Sequence, residues 1–203
     1  MKKYAVLHEP GDIVTLAGTR FVVLDVERRG SLPDSLFLLA LESVGASEFG
    51  SSNNYAESDL KKAVDKWLED MGKRGLDNAK LIPREIDLTT LDGSGCYGKL
   101  SVKAAPLTLD EAREYADIIP NAERWCWLAT GWSGPSKSDG DLALYVYSNG
   151  DWYNSNCSSS YGIRPALKIP SDLLLDSADK PDLSEVPTDT LLEEIRRRVV
   201  DKA

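Results

Sequence analysis

The stretch Tyr147–Tyr161, YSNGDWYNSNCSSSY, gathers the residue types best suited to hold another molecule. It contains four Tyr or Trp residues, five Ser, three Asn, one Gly, one Asp and one Cys. Lys, Glu, Leu, Ile and Val are absent from it. Rigid amphipathic rings interleaved with small hydrogen-bonding side chains are how antibody loops build a contact surface. The implied chemistry is recognition: rings supply apolar contact area, and Asn, Ser and Asp supply hydrogen bonds. Trp132 and Tyr145 lie upstream and extend the set. The candidate ligand-contacting residues are therefore Trp132, Tyr145, Tyr147, Asp151, Trp152, Tyr153, Asn154, Ser155, Asn156, Ser158, Ser159, Ser160 and Tyr161. Its polar and tyrosyl members are expected to be exposed and to share one face. A bare surface hairpin would explain Asn, Ser, Gly and Asp, which are turn formers. It would not explain Tyr147, Trp152, Tyr153 and Tyr161.

The parts of common hydrolases are missing. His8 is the single histidine, so a Ser-His-Asp triad or a multi-His metal site would depend on it alone. No G-x-S-x-G elbow surrounds a serine. Asp139-Gly140-Asp141 places two carboxylates one residue apart, as calcium loops do, but the strand-like LALYV follows instead of further oxygen ligands. It reads as a solvated turn. Arg164 stands between Ile163 and Pro165 in an apolar segment, where a guanidinium needs partners for its donors. Its expected role is to tie down loop carbonyls or a carboxylate. No catalytic residue, metal ligand or cofactor is assigned, and the chain reads as a binder rather than an enzyme.

The chain has 203 residues, 42% of them apolar, enough for one sizeable domain or one domain with an appendage. Its net charge of −9 argues against nucleic acid, whose phosphates need clustered Lys and Arg. No apolar run approaches the ~20 residues of a membrane helix. The apolar stretch Tyr4–Leu7 is too short for a secretory signal. Cys96, Cys126 and Cys157 are odd in number and far apart, so free thiols are expected. A cytoplasmic or virion-associated location follows as the expectation.

The elements that must position the stretch are legible in outline. Gly11–Leu16 and Arg20–Val26 read as strands joined at Ala17-Gly18-Thr19, and Leu36–Leu41 is another apolar run. Ser58 is a candidate N-cap, with Leu60, Val64, Trp67, Leu68 and Met71 at helical spacing and Gly72 and Gly75 at the end. Ile82–Gly98 reads as loop. Thr108-Leu109-Asp110-Glu111 is a capping box opening a helix to about Ile119, before Pro120. Trp125–Ala129 alternates, with Trp125 and Trp127 on one face and Cys126 on the other. The two tryptophans are expected in the core. Leu142–Tyr147 and Ile163–Ile169 read as strands, and Asn149-Gly150 as a hairpin turn. Residues 171–187 read as an acidic linker. Residues 188–203 read as an amphipathic helix, with Glu193 and Glu194 early and Arg196–Arg198 late. That helix is the candidate for self-association or attachment to an assembly.

Several of these pieces occur in an order with a family resemblance. They are Gly11–Val14 before FVVLDV, Tyr55-x-x-Ser58 before Trp67-Leu68, and Pro106-Leu107-Thr108. Trp125–Leu128, Tyr145-Val146, Asn149-Gly150 and Gly162-Ile163-Arg164-Pro165-Ala166-Leu167 follow. The order resembles a bacterial and phage domain family ending in a Gly-Val-Arg-Pro-Ala-Leu signature, related to the formylglycine-generating-enzyme type of C-type lectin fold. The resemblance covers about residues 11–169. It implies an α+β, C-type-lectin-like domain over 1–170, with two helices packed on short, mostly antiparallel strands, and the C-terminal helix appended. It also implies kinship with the hypervariable variable proteins of diversity-generating retroelements, whose ligand-facing positions are altered by adenine-directed mutagenesis. Randomising the adenines of an AAC codon yields Asn, Ser, Asp, Gly, Tyr and Cys among others, but never Trp, Lys or Glu. Within 147–161 only Trp152 is out of reach. The function implied is non-enzymatic binding of an unknown protein or cell-surface ligand. The alternatives are a fixed-specificity phage or bacterial module, and an oxidase or hydrolase on the same frame. The oxidase would need a thiol pair, but Cys126 reads as a core thiol and Cys157 as an exposed loop residue.

Overall fold

FVVLDV at Phe21–Val26 lies at the centre of the molecule because both of its faces are buried. The computed structural model describes residues 2–5, 8–29 and 32–177. In chain order the elements are β1 (Lys2–Tyr4), β2 (Ile13–Leu16), β3 (Thr19–Arg29), β4 (Leu32–Ala40), β5 (Ala46–Glu48) and α1 (Asp59–Lys73). There follow β6 (Arg84–Asp87), β7 (Lys99–Val102), β8 (Ala104–Ala105), α2 (Leu109–Glu114), β9 (Cys126–Gly131) and β10 (Leu142–Val146). The last are β11 (Trp152–Asn156), β12 (Ser160–Gly162), β13 (Ala166–Pro170) and β14 (Leu174–Ser177).

These strands form three sheets among the described residues. A seven-stranded sheet runs β1-β14-β2-β3-β4-β13-β8, a five-stranded sheet runs β11-β10-β9-β12-β5, and β6 pairs with β7. The β2–β3 turn uses Ala17 at φ 47 and Gly18 at φ 76, the positive pair that matches hairpin twist. Strand alternation then sorts the central run. Phe21 and Val23 pack with Leu60, Val64 and Met71 of α1, while Val22 and Leu24 pack with Leu109 and Ala112 of α2 and with Leu128 and Leu144. Each such side chain contributes roughly 1.5–3 kcal/mol on burial, so this double-sided strand is a main source of stability.

Both helices begin where the caps place them. The Ser58 hydroxyl accepts from the Lys61 amide at 2.9 Å, and Thr108 and Glu111 complete a reciprocal capping box. The second helix ends at Glu114, earlier than expected, and Ile118 and Ile119 fold back onto the α2-side core. Glu111 also pairs with buried Arg84, which donates to the Ala105 and Pro106 carbonyls at 3.0 and 3.1 Å.

The described chain is mostly β, and this overturns the expected α+β C-type-lectin-like fold with two helices on short strands. The helices contribute 15 and 6 residues, while β3 and β4 alone span 11 and 9 and organise the largest sheet. Two regions read as irregular are strands. Ile82–Gly98 contains β6, and the start of the expected linker contains β14, which pairs with β1 and β2. The rest of that linker and the expected C-terminal helix lie outside the described residues.

Candidate ligand-binding surface

The five-stranded sheet carries the aromatic residues, and its pleat decides which of them meet. Tyr145 faces Tyr153 across β10–β11 and Trp127 across β9–β10. Residues opposite one another point to the same side. The result is a continuous run of rings. At its inner end Trp127 is 1% exposed, meets Phe49 edge-on at 5.5 Å, and donates its indole N–H to the Ser47 carbonyl at 2.9 Å. Tyr161 lies 4.6 Å from Trp127 and 4.7 Å from Tyr145. Trp125 stacks on Tyr145 and Tyr147 at 5.6 and 4.8 Å. Tyr153 closes the run at 6.1 Å from Tyr145 and 5.7 Å from Tyr147. It is 49% exposed, and Trp125 is 37% exposed. The surface is thus the outer edge of a ring cluster rooted in the core. Burial and the surrounding tyrosines raise the Tyr145 phenol above its ordinary value, so it stays protonated at neutral pH.

Hydroxyls fringe the rings. The Tyr161 hydroxyl donates to Ser155 at 3.0 Å, and the Ser155 and Ser159 hydroxyls lie 3.1 Å apart. The β10–β11 turn is held from within. Asn149 accepts from the Asp151 amide at 3.1 Å, the Tyr147 amide donates to the Asp151 carbonyl at 2.7 Å, and Gly150 takes φ 91. At the other end of β10, buried Asn53 donates to the Ser133 and Leu142 carbonyls at 2.8 and 3.0 Å and accepts from Tyr97 at 2.6 Å. Gly131 lies so close that a Cβ there would stand 2.9 Å from the Asn53 side chain.

The structure distributes the expected contact residues unevenly. Asp151, Trp152, Tyr153, Asn156, Ser158 and Ser160 are exposed. Tyr147, Asn154, Ser155, Ser159, Tyr161 and Trp132 are half-buried, and Tyr145 is buried at 8%. They do not share one face. Alternation turns Tyr153 and Ser155 toward the rings and Trp152, Asn154 and Asn156 to the opposite side. There Trp152 lies under the Arg113 guanidinium at 5.3 Å. Trp132 stays off the ring run and packs with Leu128 and Leu144. Trp125, read as core, is instead exposed and joins the ring run, a candidate that sequence reasoning missed.

Cys157, read as an exposed loop residue, is 1% exposed. Its backbone is clamped, since its carbonyl accepts from Phe49 and Gly50 at 2.8 and 3.1 Å and its amide donates to the Asp141 carbonyl at 2.7 Å. Burial pushes its thiol up to about 12 and that of Cys126 up to about 11. Thiolate is the reactive form, so neither is set up for redox or nucleophilic work. Iodoacetamide at pH 8 is expected to label the native protein at exposed Cys96 alone, and at all three cysteines in denaturant. Mass spectrometry reads the count, and native labelling of Cys157 would contradict its placement.

Other candidates resolve as structure. Asp139 and Asp141 belong to a turn in which Asp141 accepts from Asn156 at 2.9 Å. His8 is buried against Asp12 at 3.2 Å. Among the described residues no group of three or more His, Cys, Asp or Glu side chains is placed to hold a metal ion. Gly93–Lys99 reads GSGCYGK. It has the spacing of a phosphate loop up to the Ser/Thr position, which is Leu100 here. It leads into β7 rather than a helix, and Lys99 pairs with Glu85, so the helix N-terminus such a loop requires is missing. Among the described residues no helix is long and apolar enough to cross a membrane. No family model matches the chain, and no curated protein or solved structure shows significant similarity to it.

Proposed function

We propose that this chain is a non-enzymatic binding protein, whose ligand surface is the outer edge of the ring cluster with its serine fringe. The observation that carries the reading is the unbroken run from buried Trp127 to half-exposed Tyr153. Rings fixed by their neighbours lose little entropy on binding, which is where preorganised aromatic anchors gain affinity. An unknown protein or a cell-surface ligand suits such a face. The test uses a phage-displayed random peptide library selected on the immobilised chain. Tyr153→Ala removes a mostly exposed ring, so the fold is expected to lose less than about 1 kcal/mol. Affinity for the selected peptides is expected to fall about thirtyfold, the mark of a hot spot of about 2 kcal/mol. Equal affinity for wild type and variant would remove the reading.

The side-chain set at 147–161 supports a further part of the proposal, that retroelement-directed mutagenesis diversifies this surface. Exposed Asp151, Tyr153, Asn156, Ser158 and Ser160 can change with little loss of packing. A second reading, a phage or bacterial module of fixed specificity, draws on one observation. Tyr161, Ser155 and Ser159 are locked to one another by hydrogen bonds, and Tyr145 and Cys157 are buried. Variation there would disturb the frame. The proposal therefore confines diversification to the exposed positions.

A further inference from the structure

A half-open cavity of about 300 Å³ lies on the side of β9 and β10 that carries Leu128 and Val146, with Trp127 also in its lining. Leu107, Ala112, Ala116 and Ile119 form one wall, and Leu128 and Val146 the other. The β10–β11 turn and Trp152 stand at its mouth. Asn121, Asn149, Asp151 and Arg164 add polar groups to these apolar walls, and a hollow of this volume that mixes the two is the usual form of a small-molecule site.

The polar group in its wall is unusual. Arg164 is 6% exposed and lines the cavity. Its Nε donates to the Ala40 carbonyl at 2.9 Å and its Nη1 to the Pro120 carbonyl at 3.1 Å, while Nη2 is buried without a hydrogen-bond partner. The expected structural role of Arg164 thus accounts for part of its donor set. Among the described residues no carboxylate forms an ion pair with it. Glu42, which contributes to its electrostatic surroundings, is paired with Arg20. Cys126 shares the wall, and burial keeps its thiol neutral at physiological pH. A buried cation without a counter-charge is costly, and an anion placed on it relieves that cost. Asp151 is exposed at the rim, where water screens its charge, and Arg113, paired with Asp110 at 3.4 Å, lies over Trp152.

We propose that this cavity binds a small amphipathic monocarboxylate, with its apolar body against Ala112, Ala116, Leu128 and Val146 and its carboxylate at the edge of the Arg164 guanidinium that lines the wall. A medium-chain aliphatic acid has the right size and polarity. Occupancy would also steady the β10–β11 turn, since Asn149, Gly150 and Asp151 line the same space. Tyr153 is not part of its lining, so Tyr153→Ala leaves it intact.

The test is an NMR titration of the full chain with octanoate, with octan-1-ol as the uncharged control. Octanoate is expected to shift the resonances of Ala112, Ala116 and Leu128. Octanol is expected to bind about tenfold more weakly or worse, the loss of one charge-assisted hydrogen bond. Equal binding of the two, shifts confined to other regions, or no shifts with octanoate would each overturn the proposal. Substituting Arg164 would strip donors from two carbonyls and threaten the fold. Ala116→Phe is the safer variant, because position 116 is exposed at the edge of the cavity. It is expected to keep the wild-type melting temperature and to weaken octanoate about tenfold or more. A folded Ala116→Phe protein with unchanged octanoate affinity would also overturn it.

Discussion

Trp127→Ala is expected to cost the fold about 3–5 kcal/mol, the range for deleting a buried aromatic side chain. The residue is 1% exposed and touches Phe49, Tyr145 and Tyr161. Its removal leaves a void under the rings and strands the Ser47 carbonyl that its indole satisfied. Trp127→Phe separates the two effects. It keeps most of the packing and loses the hydrogen bond, so a loss of about 1–2 kcal/mol is expected. Denaturant unfolding at neutral pH reads both. A Trp127→Ala protein within about 1 kcal/mol of wild type would mean that the ring run is not rooted in the core.

The second large effect is expected at Asn53. Its amide group donates to the Ser133 and Leu142 carbonyls. Asn53→Asp is nearly isosteric but turns that donor into an acceptor facing two acceptors. A loss of about 3 kcal/mol or more is expected at pH 7, because a carboxylate is buried with Tyr97 as its donor on one oxygen and two carbonyls facing the other. The pH dependence carries a definite sign. Burial beside carbonyls raises the folded-state pKa of the introduced carboxyl above its unfolded value of about 3.9. The protonated form can donate one of the lost bonds. Stability relative to wild type therefore recovers as the pH falls through the raised folded value, and is lost again as it rises. A penalty that grows on acidification would contradict the assigned hydrogen bonds.

What was legible in the sequence was local. Ser58, Thr108 and Glu111 announce their caps through residue types that act within four positions. The hairpin at Ala17-Gly18 and the turn at Asn149-Gly150 are likewise local. The chemical character of 147–161 needed only composition. What was lost depended on distant partners. β6 alternates correctly as Arg84, Glu85, Ile86 and Asp87, but its inward side holds a buried arginine paired to Glu111, which disguises a buried face. β14 sits in an acidic segment, and its place in the sheet is set by β1 and β2. Cys157 looks like loop because neighbouring serines do, yet backbone clamps from Phe49 and Asp141 pull it inward. The fold class failed for a related reason. Capped helices are conspicuous in sequence, whereas the short strands that outnumber them are recognisable only through their pairing.

The site was half legible on the same grounds. Residue types pointed to the strands that carry the ring run, but the pleat splits Tyr153 from Trp152 and Asn154. Trp125 was set aside as core because nothing in its neighbourhood shows that β9 begins one residue later.

The central claim, a diversified ligand surface, is tested most directly by sequencing the coding DNA and its flanks. The expected result is a nearby near-copy of the segment encoding about residues 125–167, together with a reverse-transcriptase gene. The two copies should differ only where the template carries adenine, at codons for exposed positions such as Asp151, Tyr153 and Asn156. The absence of a copy would contradict diversification. So would differences concentrated in the codons of Trp127, Tyr145 and Cys157.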